Sequence, residues 1–249
     1  LLAGSAARHR ADVRALYATA REVGRIRHVE ASWVRSSGVP AAGGWFTHRR
    51  LSGGGALVDL GWHLFDVVTP LLGEFAFEQV VGVTHGDFLA AGDAAAAWRG
   101  DDAPAGGPAG DVEDTARGFL VTRDAVSVAV RVGWASHEPL DVTTVRVEGT
   151  AGTAHLRCTF GFSPNREGGS ALTLTRRGTP ETVPVPEEPI GAEYDRQLDA
   201  IAAALADPAS RGRAAAEAAR IIGVIERLYD SARPVPADLS SLREPSHGH

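Results

Sequence analysis

Apolar residues recur at intervals of three and four positions between two groups of glycines in the first third of the chain. The apolar positions are Leu57, Leu60, Leu64, Val67, Val68 and Leu71. This spacing is typical of a helix with a buried face. Gly53, Gly54 and Gly55 precede the run, and Gly73 stands where a helix often ends. We therefore predict a largely buried central helix, loosened in its last turn by Pro70.

The remaining patterns predict both strands and helices. Alternation of apolar and polar residues predicts strands at 25–34, 75–84, 115–122, 125–134, 143–148, 153–159, 172–175 and 182–185. Helical spacing predicts helices at 12–23, 193–205 and 213–232. Because the strands are grouped rather than alternating with helices, we predict an α+β fold. Its open, mostly antiparallel sheet should have helices packed on one face.

Two segments differ from this regular pattern. Residues 90–110 are rich in Ala, Gly, Asp and Pro, which predicts a mobile loop or insertion. Residues 236–249 are rich in Ser and polar residues, and we expect them to form a frayed tail. Residues 1–235 then form one domain.

The predicted central helix carries a candidate acid/base group. Asp59, His63 and Asp66 have i, i+4 and i+7 spacing and therefore share one face. A carboxylate one turn from an imidazole can orient it as a general base. A single histidine on an apolar helix can equally be a satisfied core residue. The glycines favour the catalytic interpretation, since they allow close backbone approach at the rim of a ligand site.

The loop before the glycines contains candidate substrate contacts. Trp45, His48 and Arg49 combine aromatic and basic side chains next to the polar helix face, and such loops often contact substrate. The alternative is a solvated loop anchored by one tryptophan.

Composition argues against several classes of function. The 249-residue chain has a net charge of -6 and no basic stripe, which argues against nucleic-acid binding. No window reaches the roughly 18 apolar residues of a membrane span. Cys158 is the single cysteine, so the chain has no internal disulfide and suits a reducing cytoplasm. The absence of methionine predicts that the sequence does not begin at its own start codon.

Several motifs together resemble the glucose-fructose oxidoreductase / inositol dehydrogenase (Gfo/Idh/MocA) family. In that family a glycine-rich turn enters a helix bearing D-x-x-x-H-x-x-D, as at residues 53–73 here. Further similar segments are 3–29, 45–50, 112–116, 147–153 and 194–232. The resemblance implies a substrate-binding and oligomerisation domain like the C-terminal domain of glyceraldehyde-3-phosphate dehydrogenase.

The resemblance also implies roles for individual residues. His63 matches the family's acid/base for the substrate hydroxyl, Asp59 the carboxylate that hydrogen-bonds it, and Asp66 a structural acidic position. Trp62 replaces the small residue usual before the histidine, and we add it to the candidate substrate contacts.

Family enzymes pair such a domain with an N-terminal domain that binds NAD or NADP and carries a catalytic lysine. This sequence has no lysine, and its glycines lack the G-x-G-x-x-G spacing of a dinucleotide site. We therefore expect the substrate-binding, acid/base half of an NAD(P)-dependent oxidoreductase acting on a sugar, cyclitol or related hydroxyl or carbonyl compound. The chain alone should bind no nicotinamide cofactor and no metal.

The resemblance implies a homodimer or homotetramer formed through the open sheet. Two alternatives for the function remain open. The chain could be a naturally short enzyme that uses Asp59 and His63 for dehydration, epimerisation or cyclisation, or it could be a non-catalytic dimerisation or binding module.

Overall fold

A computed structural model describes residues 4–40, 44–73, 76–91 and 110–232 of the chain. In these ranges the strands are β1 Ile26–Val34, β2 Phe77–His85, β3 Thr115–Thr122, β4 Ser127–Gly133, β5 Val142–Gly149, β6 Thr153–Cys158, β7 Ala171–Arg176 and β8 Thr179–Val183. The α-helices are α1 Ala11–Ala20, α2 Arg49–Ser52, α3 Trp62–Leu72, α4 Asp87–Ala91, α5 Ala192–Ala206 and α6 Arg213–Ser231. A π-helical turn, Leu57–Gly61, leads directly into α3, and 3-10 turns lie at Ala6–His9, Trp45–Thr47 and Pro208–Ser210.

The strands form one mixed sheet in the order β2-β3-β4-β1-β5-β6-β7-β8. β1 and β4 are parallel, and every other neighbouring pair is antiparallel. The predicted α+β fold with an open, mostly antiparallel sheet is therefore confirmed.

The register of the sheet separates a buried face from an uncovered one. One row of paired residues runs across the sheet and is largely buried: Gly82, Gly118, Val130, Ala31, Val145, Leu156 and Leu172. The adjacent row points to the other face and is more exposed: Val81, Phe119, Ala129, Glu30, Arg146, His155 and Thr173. Because successive side chains of a strand alternate in direction, a single hydrophobic core forms on the first face.

Helices cover the buried face at three places. α1 packs on β6 and β7, α3 on β1, and α6 on β2, while the π-helical turn packs on β4. The central helix therefore lies over the middle of the sheet, with Leu60 and Leu64 fully buried. It ends at Gly73, whose φ of 66° is in the left-handed region that favours glycine.

Contrary to the expectation from the sequence, one segment, Arg49–Leu72, has the length and composition of a membrane-spanning helix, and 56% of its most apolar window is buried inside the structure. Core helices of soluble proteins share these features, so the run does not distinguish the two. Most of the predicted loop at 90–110 and the whole predicted tail at 236–249 lie outside the described residues.

Candidate active site

The start of the central helix is held by the buried carboxylate of Glu113. Its Oε1 accepts hydrogen bonds from the backbone N–H groups of Gly55 (3.0 Å) and Leu57 (2.9 Å) and from the Tyr229 hydroxyl (2.7 Å). Its Oε2 accepts from the N–H of Gly55 at 3.1 Å. These N–H groups have no partner within the helix, and negative charge is favourable at a helix N-terminus. Glu113 thus fixes the point from which the helix projects its polar residues.

Close backbone packing explains why residue 55 is a glycine. The N–H of Ala56 donates to the carbonyl oxygen of Glu113 at 3.0 Å, and a Cβ on Gly55 would overlap this carbonyl. The sequence predicted close approach at the rim of a ligand site, but Gly53, Gly54 and Gly55 are not among the residues that line the cavity described below. The near neighbour of Gly55 is the protein's own backbone.

Asp59 and His63 line the same cavity, which has a volume of about 550 Å³. Asp59 lies in the π-helical turn and His63 in the first turn of α3. Further lining residues come from β1 and the segment after it, from the residue before β5, from the segment after β6, and from α5. They are Trp33, Arg35, Ser36, Ser37, Asp141, Phe160, Gly161, Phe162, Ser163, Pro164, Asn165 and Tyr194.

Asp59 and His63 are held by different partners. Nδ1 of His63 lies 2.7 Å from the Oγ of Ser5, and Oδ2 of Asp59 accepts a hydrogen bond from the indole N–H of Trp134 at 2.8 Å. The hydrogen bond between Asp59 and His63 that the resemblance implied is not among those of the described residues. Each side chain instead uses its polar atoms on a residue from a distant segment, Asp59 on Trp134 and His63 on Ser5.

The surroundings of His63 favour a neutral imidazole. Burial lowers the pKa of His63 from its ordinary value of 6.5, the nearby Asp59 carboxylate opposes this decrease, and the Arg35 guanidinium adds to it. The ring also packs against the indole of Trp33, with 5.8 Å between the ring centroids. At neutral pH such an imidazole can accept a proton, and Asp59 stabilises the cation that results.

Asp66 anchors the N-terminal segment to α3. Its Oδ2 accepts from the backbone N–H of Ser5 at 3.1 Å, and its Oδ1 pairs with the Arg8 guanidinium at 2.8 Å. Arg8 Nε also donates to the Asp66 carbonyl oxygen at 2.7 Å. Burial raises the pKa of Asp66, and Arg8 counteracts only part of this effect. This network places the Ser5 hydroxyl against His63.

The other predicted substrate contacts lie elsewhere. Trp45 is exposed, Arg49 stacks over the Tyr229 ring at 4.7 Å, and Trp62 packs against the core while half-buried. His48 precedes α2 and is half-buried. These four residues are not among those that line the cavity, and their role in substrate binding stays a prediction.

The sequence interpretation missed Ser5, Arg35 and Trp134. Ser5 precedes the first 3-10 turn, Arg35 directly follows β1, and Trp134 directly follows β4. An arginine or tryptophan at the end of a strand is a weak local signal, and only the tertiary fold brings these residues to the central helix. Among the described residues, no group of three or more His, Cys, Asp or Glu side chains could hold a metal ion.

Comparison with known proteins identifies the family. Residues 12–155 match the family model of the GFO/IDH/MocA C-terminal domain. The chain is 60% identical over 232 residues to a protein of Amycolatopsis mediterranei strain S699, named "Putative UDP-kanosamine synthase oxidoreductase subunit". This match covers 93% of the chain and 64% of the relative, so the chain spans less than two thirds of the relative's length.

Solved structures share the fold at low sequence identity. The aldose-aldose oxidoreductase of Caulobacter crescentus, complexed with glycerol, matches with a TM-score of 0.63 and 19% identity, over 92% of this chain and 62% of that chain. The 3-ketoreductase KijD10 of Actinomadura kijaniata, in complex with TDP-benzene and NADP, matches with a TM-score of 0.64 and 16% identity, over 94% and 62%. The family model and the 60% identical relative together show that the chain belongs to the GFO/IDH/MocA family, with the fold of its C-terminal domain.

Proposed function

We propose that the chain provides substrate binding and acid/base chemistry to an NAD(P)-dependent oxidoreductase acting on a hydroxyl or carbonyl group of a sugar or cyclitol-like compound. The observation that carries this proposal is a half-buried His63 that lines, together with Asp59, a cavity of about 550 Å³. The relative's name, which includes UDP-kanosamine and an oxidoreductase subunit, favours a sugar nucleotide as the substrate.

His63 has the chemistry that oxidation of an alcohol requires. Removing hydride from a carbinol carbon also requires removing the hydroxyl proton. Because Nδ1 of His63 contacts Ser5, Nε2 is the ring nitrogen left to accept that proton. Asp59 then stabilises the imidazolium by its charge. In the reductive direction the imidazolium returns the proton to the carbonyl oxygen.

The helix start described above does not fit a nicotinamide dinucleotide. Such a cofactor binds its pyrophosphate at a glycine turn and a helix N-terminus within a βαβ unit. Here the N–H groups of Gly55 and Leu57 are already bonded to Glu113. We therefore assign NAD or NADP to a part of the enzyme outside this chain, and we derive no hydride step through it.

Substitution of His63 tests the acid/base role. In the gene product that contains this chain, turnover of UDP-glucose, chosen as a simple UDP-hexose probe, with NAD+ or NADP+ should fall by about 10²- to 10⁴-fold in His63→Ala. The circular dichroism spectrum and Tm should remain close to those of the wild type. His137→Ala is the matched control, because His137 is exposed and does not line the cavity. Full turnover in His63→Ala would contradict the proposal.

Cofactor titration tests the division of labour. Fluorescence titration of the isolated chain with NAD+, NADH, NADP+ and NADPH should show no micromolar binding, whereas a longer gene product should bind one of them. Micromolar binding to the isolated chain would contradict the assignment. Cofactor-independent turnover by the isolated chain would instead favour a non-redox enzyme.

We also propose a homodimer or homotetramer formed through the uncovered face of the sheet. The supporting observation is that Val81 and Phe119 are exposed next to each other on this face, where they pair in register. Large apolar side chains in such a row favour contact with another surface. Light scattering should report a dimer or tetramer at micromolar concentration, and Phe119→Glu should lower the mass, whereas Leu205→Glu on exposed α5 should not. A monomeric wild type would refute this proposal.

A further inference from the structure

We propose that the His63 cavity contains a subsite for the diphosphate and the base of a nucleoside diphosphate sugar. Arg35 would bind the diphosphate, and the stacked rings of Phe162 and Tyr194 would bind the base. This inference rests on the proposed function, because it presumes that the sugar lies at His63.

Arg35 is a cation that lines the cavity, and among the described residues it forms no ion pair. It is half-buried, and the ion pairs recorded for the described residues do not include it. Asp141, an acid of the same cavity, accepts hydrogen bonds from the N–H (2.8 Å) and Oγ (3.1 Å) of Ser36. Partial burial of an unpaired charge is unfavourable, and a guanidinium binds phosphate oxygens in a bidentate geometry. An anionic group of the substrate would therefore complete this part of the site.

Arg35 is also well placed relative to the reacting group. The guanidinium carbon of Arg35 lies 5.6 Å from the ring centroid of Trp33. The ring centroid of His63 lies 5.8 Å from that of the same tryptophan. In a sugar nucleotide, the phosphate is joined to the anomeric oxygen, only a few bonds from the ring hydroxyl groups. One substrate can therefore place a hydroxyl at His63 and a phosphate at Arg35.

Phe162 and Tyr194 offer a surface for a planar base. Their rings are stacked with 5.6 Å between centroids and 19° between planes. They line the same cavity yet remain 65% and 45% exposed. Exposed aromatic faces stack well with nucleobases. Phe162 follows β6 and Tyr194 lies in the first turn of α5, so the fold brings together two distant segments to form this pair.

The size of the cavity supports a ligand larger than a monosaccharide. A free hexose displaces roughly six waters, on the order of 180 Å³ at about 30 Å³ per water, whereas the cavity has about 550 Å³. The cavity therefore has room for more than a hexose. Arg35, Phe162 and Tyr194 also line it, and these side chains are suited to a diphosphate and a base.

Calorimetric titration of the 249-residue chain with UDP and with pyrophosphate tests the subsite directly. Wild-type chain should bind both ligands, and Arg35→Ala should weaken both by about ten- to a hundredfold, as expected for loss of a charge-assisted hydrogen bond. Arg35→Lys should recover part of this affinity. Phe162→Ala should weaken UDP about tenfold and leave pyrophosphate unchanged. Arg25→Ala is the control, because Arg25 is exposed and lies outside the cavity.

A second measurement connects Arg35 to His63. A bound diphosphate would neutralise the Arg35 charge, which contributes to the low pKa of His63. The pKa of His63, followed by NMR, should therefore rise when UDP binds to the wild type, and at a UDP concentration that saturates only the wild type it should rise less with Arg35→Ala.

Two results would overturn the inference: no saturable UDP binding at millimolar concentration, or equal UDP affinity in Arg35→Ala and wild type. UDP lacks the hexosyl group that would lie at His63, so either failure leaves the acid/base proposal for His63 intact. Conversely, full turnover in His63→Ala would refute the acid/base proposal without changing UDP binding.

Discussion

Removal of the Glu113 carboxylate should destabilise the protein severely, because that carboxylate holds the start of the central helix. Glu113 is 6% exposed and accepts hydrogen bonds from the N–H groups of Gly55 and Leu57 and from the Tyr229 hydroxyl. Burial and the adjacent Glu113 charge raise the pKa of Tyr229, so its hydroxyl remains a donor. Glu113→Ala would leave two buried N–H groups and the half-buried Tyr229 hydroxyl without their acceptor.

The size of the effect follows from these contacts. Each buried donor left unsatisfied costs about 1–3 kcal/mol. Because water can enter the space vacated by the side chain, we expect about 3–6 kcal/mol for Glu113→Ala. Glu113→Gln keeps one acceptor oxygen and similar volume but loses the charge, and it should cost about 1–3 kcal/mol.

Urea unfolding followed by circular dichroism measures these differences. Glu226→Ala, on the exposed side of α6, is the control and should change the free energy of unfolding by less than about 0.5 kcal/mol. If Glu113→Ala does not fold, Glu113→Gln still provides a value. A loss below about 1 kcal/mol in Glu113→Ala, or no loss in Glu113→Gln, would refute the explanation.

Three further predictions concern stability. Gly55→Ala should cost more than about 2 kcal/mol in urea unfolding, since the new methyl group would overlap the Glu113 carbonyl; a wild-type midpoint would contradict the packing described here. Arg8→Ala should cost about 3 kcal/mol in the same assay. This value is at the low end for a buried ion pair, because Arg8 is a quarter exposed while its partner Asp66 is buried. A change below about 0.5 kcal/mol would argue against the Arg8–Asp66 network. The pKa of His63 is lower in the folded state than its ordinary 6.5. Between the folded-state pKa and 6.5 the unfolded chain therefore binds more protons than the folded chain. The free energy of unfolding should rise with pH across this range and level off above 6.5. Stability measured from pH 4 to 8 should show this rise, and His63→Gln should remove its share; an unchanged profile would contradict the burial of a neutral imidazole.

The sequence was informative about elements because its patterns are local. The three- and four-residue spacing around Leu60 and Leu64 predicted the central helix, and alternation predicted the strands. The parallel pairing of β1 with β4 could not be predicted in this way, since the two strands are separated by β2, β3 and the segments around them. Pairing of such distant strands depends on tertiary packing rather than on local pattern.

The candidate site was predictable in part for the same reason. Asp59 and His63 share one helical segment, so spacing alone placed both of them in one region, and the structure has them in one cavity. Their hydrogen-bond partners, Trp134 and Ser5, come from distant segments. The π-helical turn that contains Asp59 produced no recognised signal in the sequence.

The pH dependence of kcat/KM tests the central claim, that His63 transfers the substrate proton, most directly. It should be measured for oxidation of UDP-glucose with NAD+ or NADP+ in the gene product that contains this chain, for wild type and His63→Gln. The wild-type value should decrease as pH falls below 6.5, because burial lowers the pKa of His63 from that value and the protonated ring can no longer act as a base. His63→Gln should have a much lower kcat/KM without this acid limb. The same acid limb in both proteins would contradict the claim.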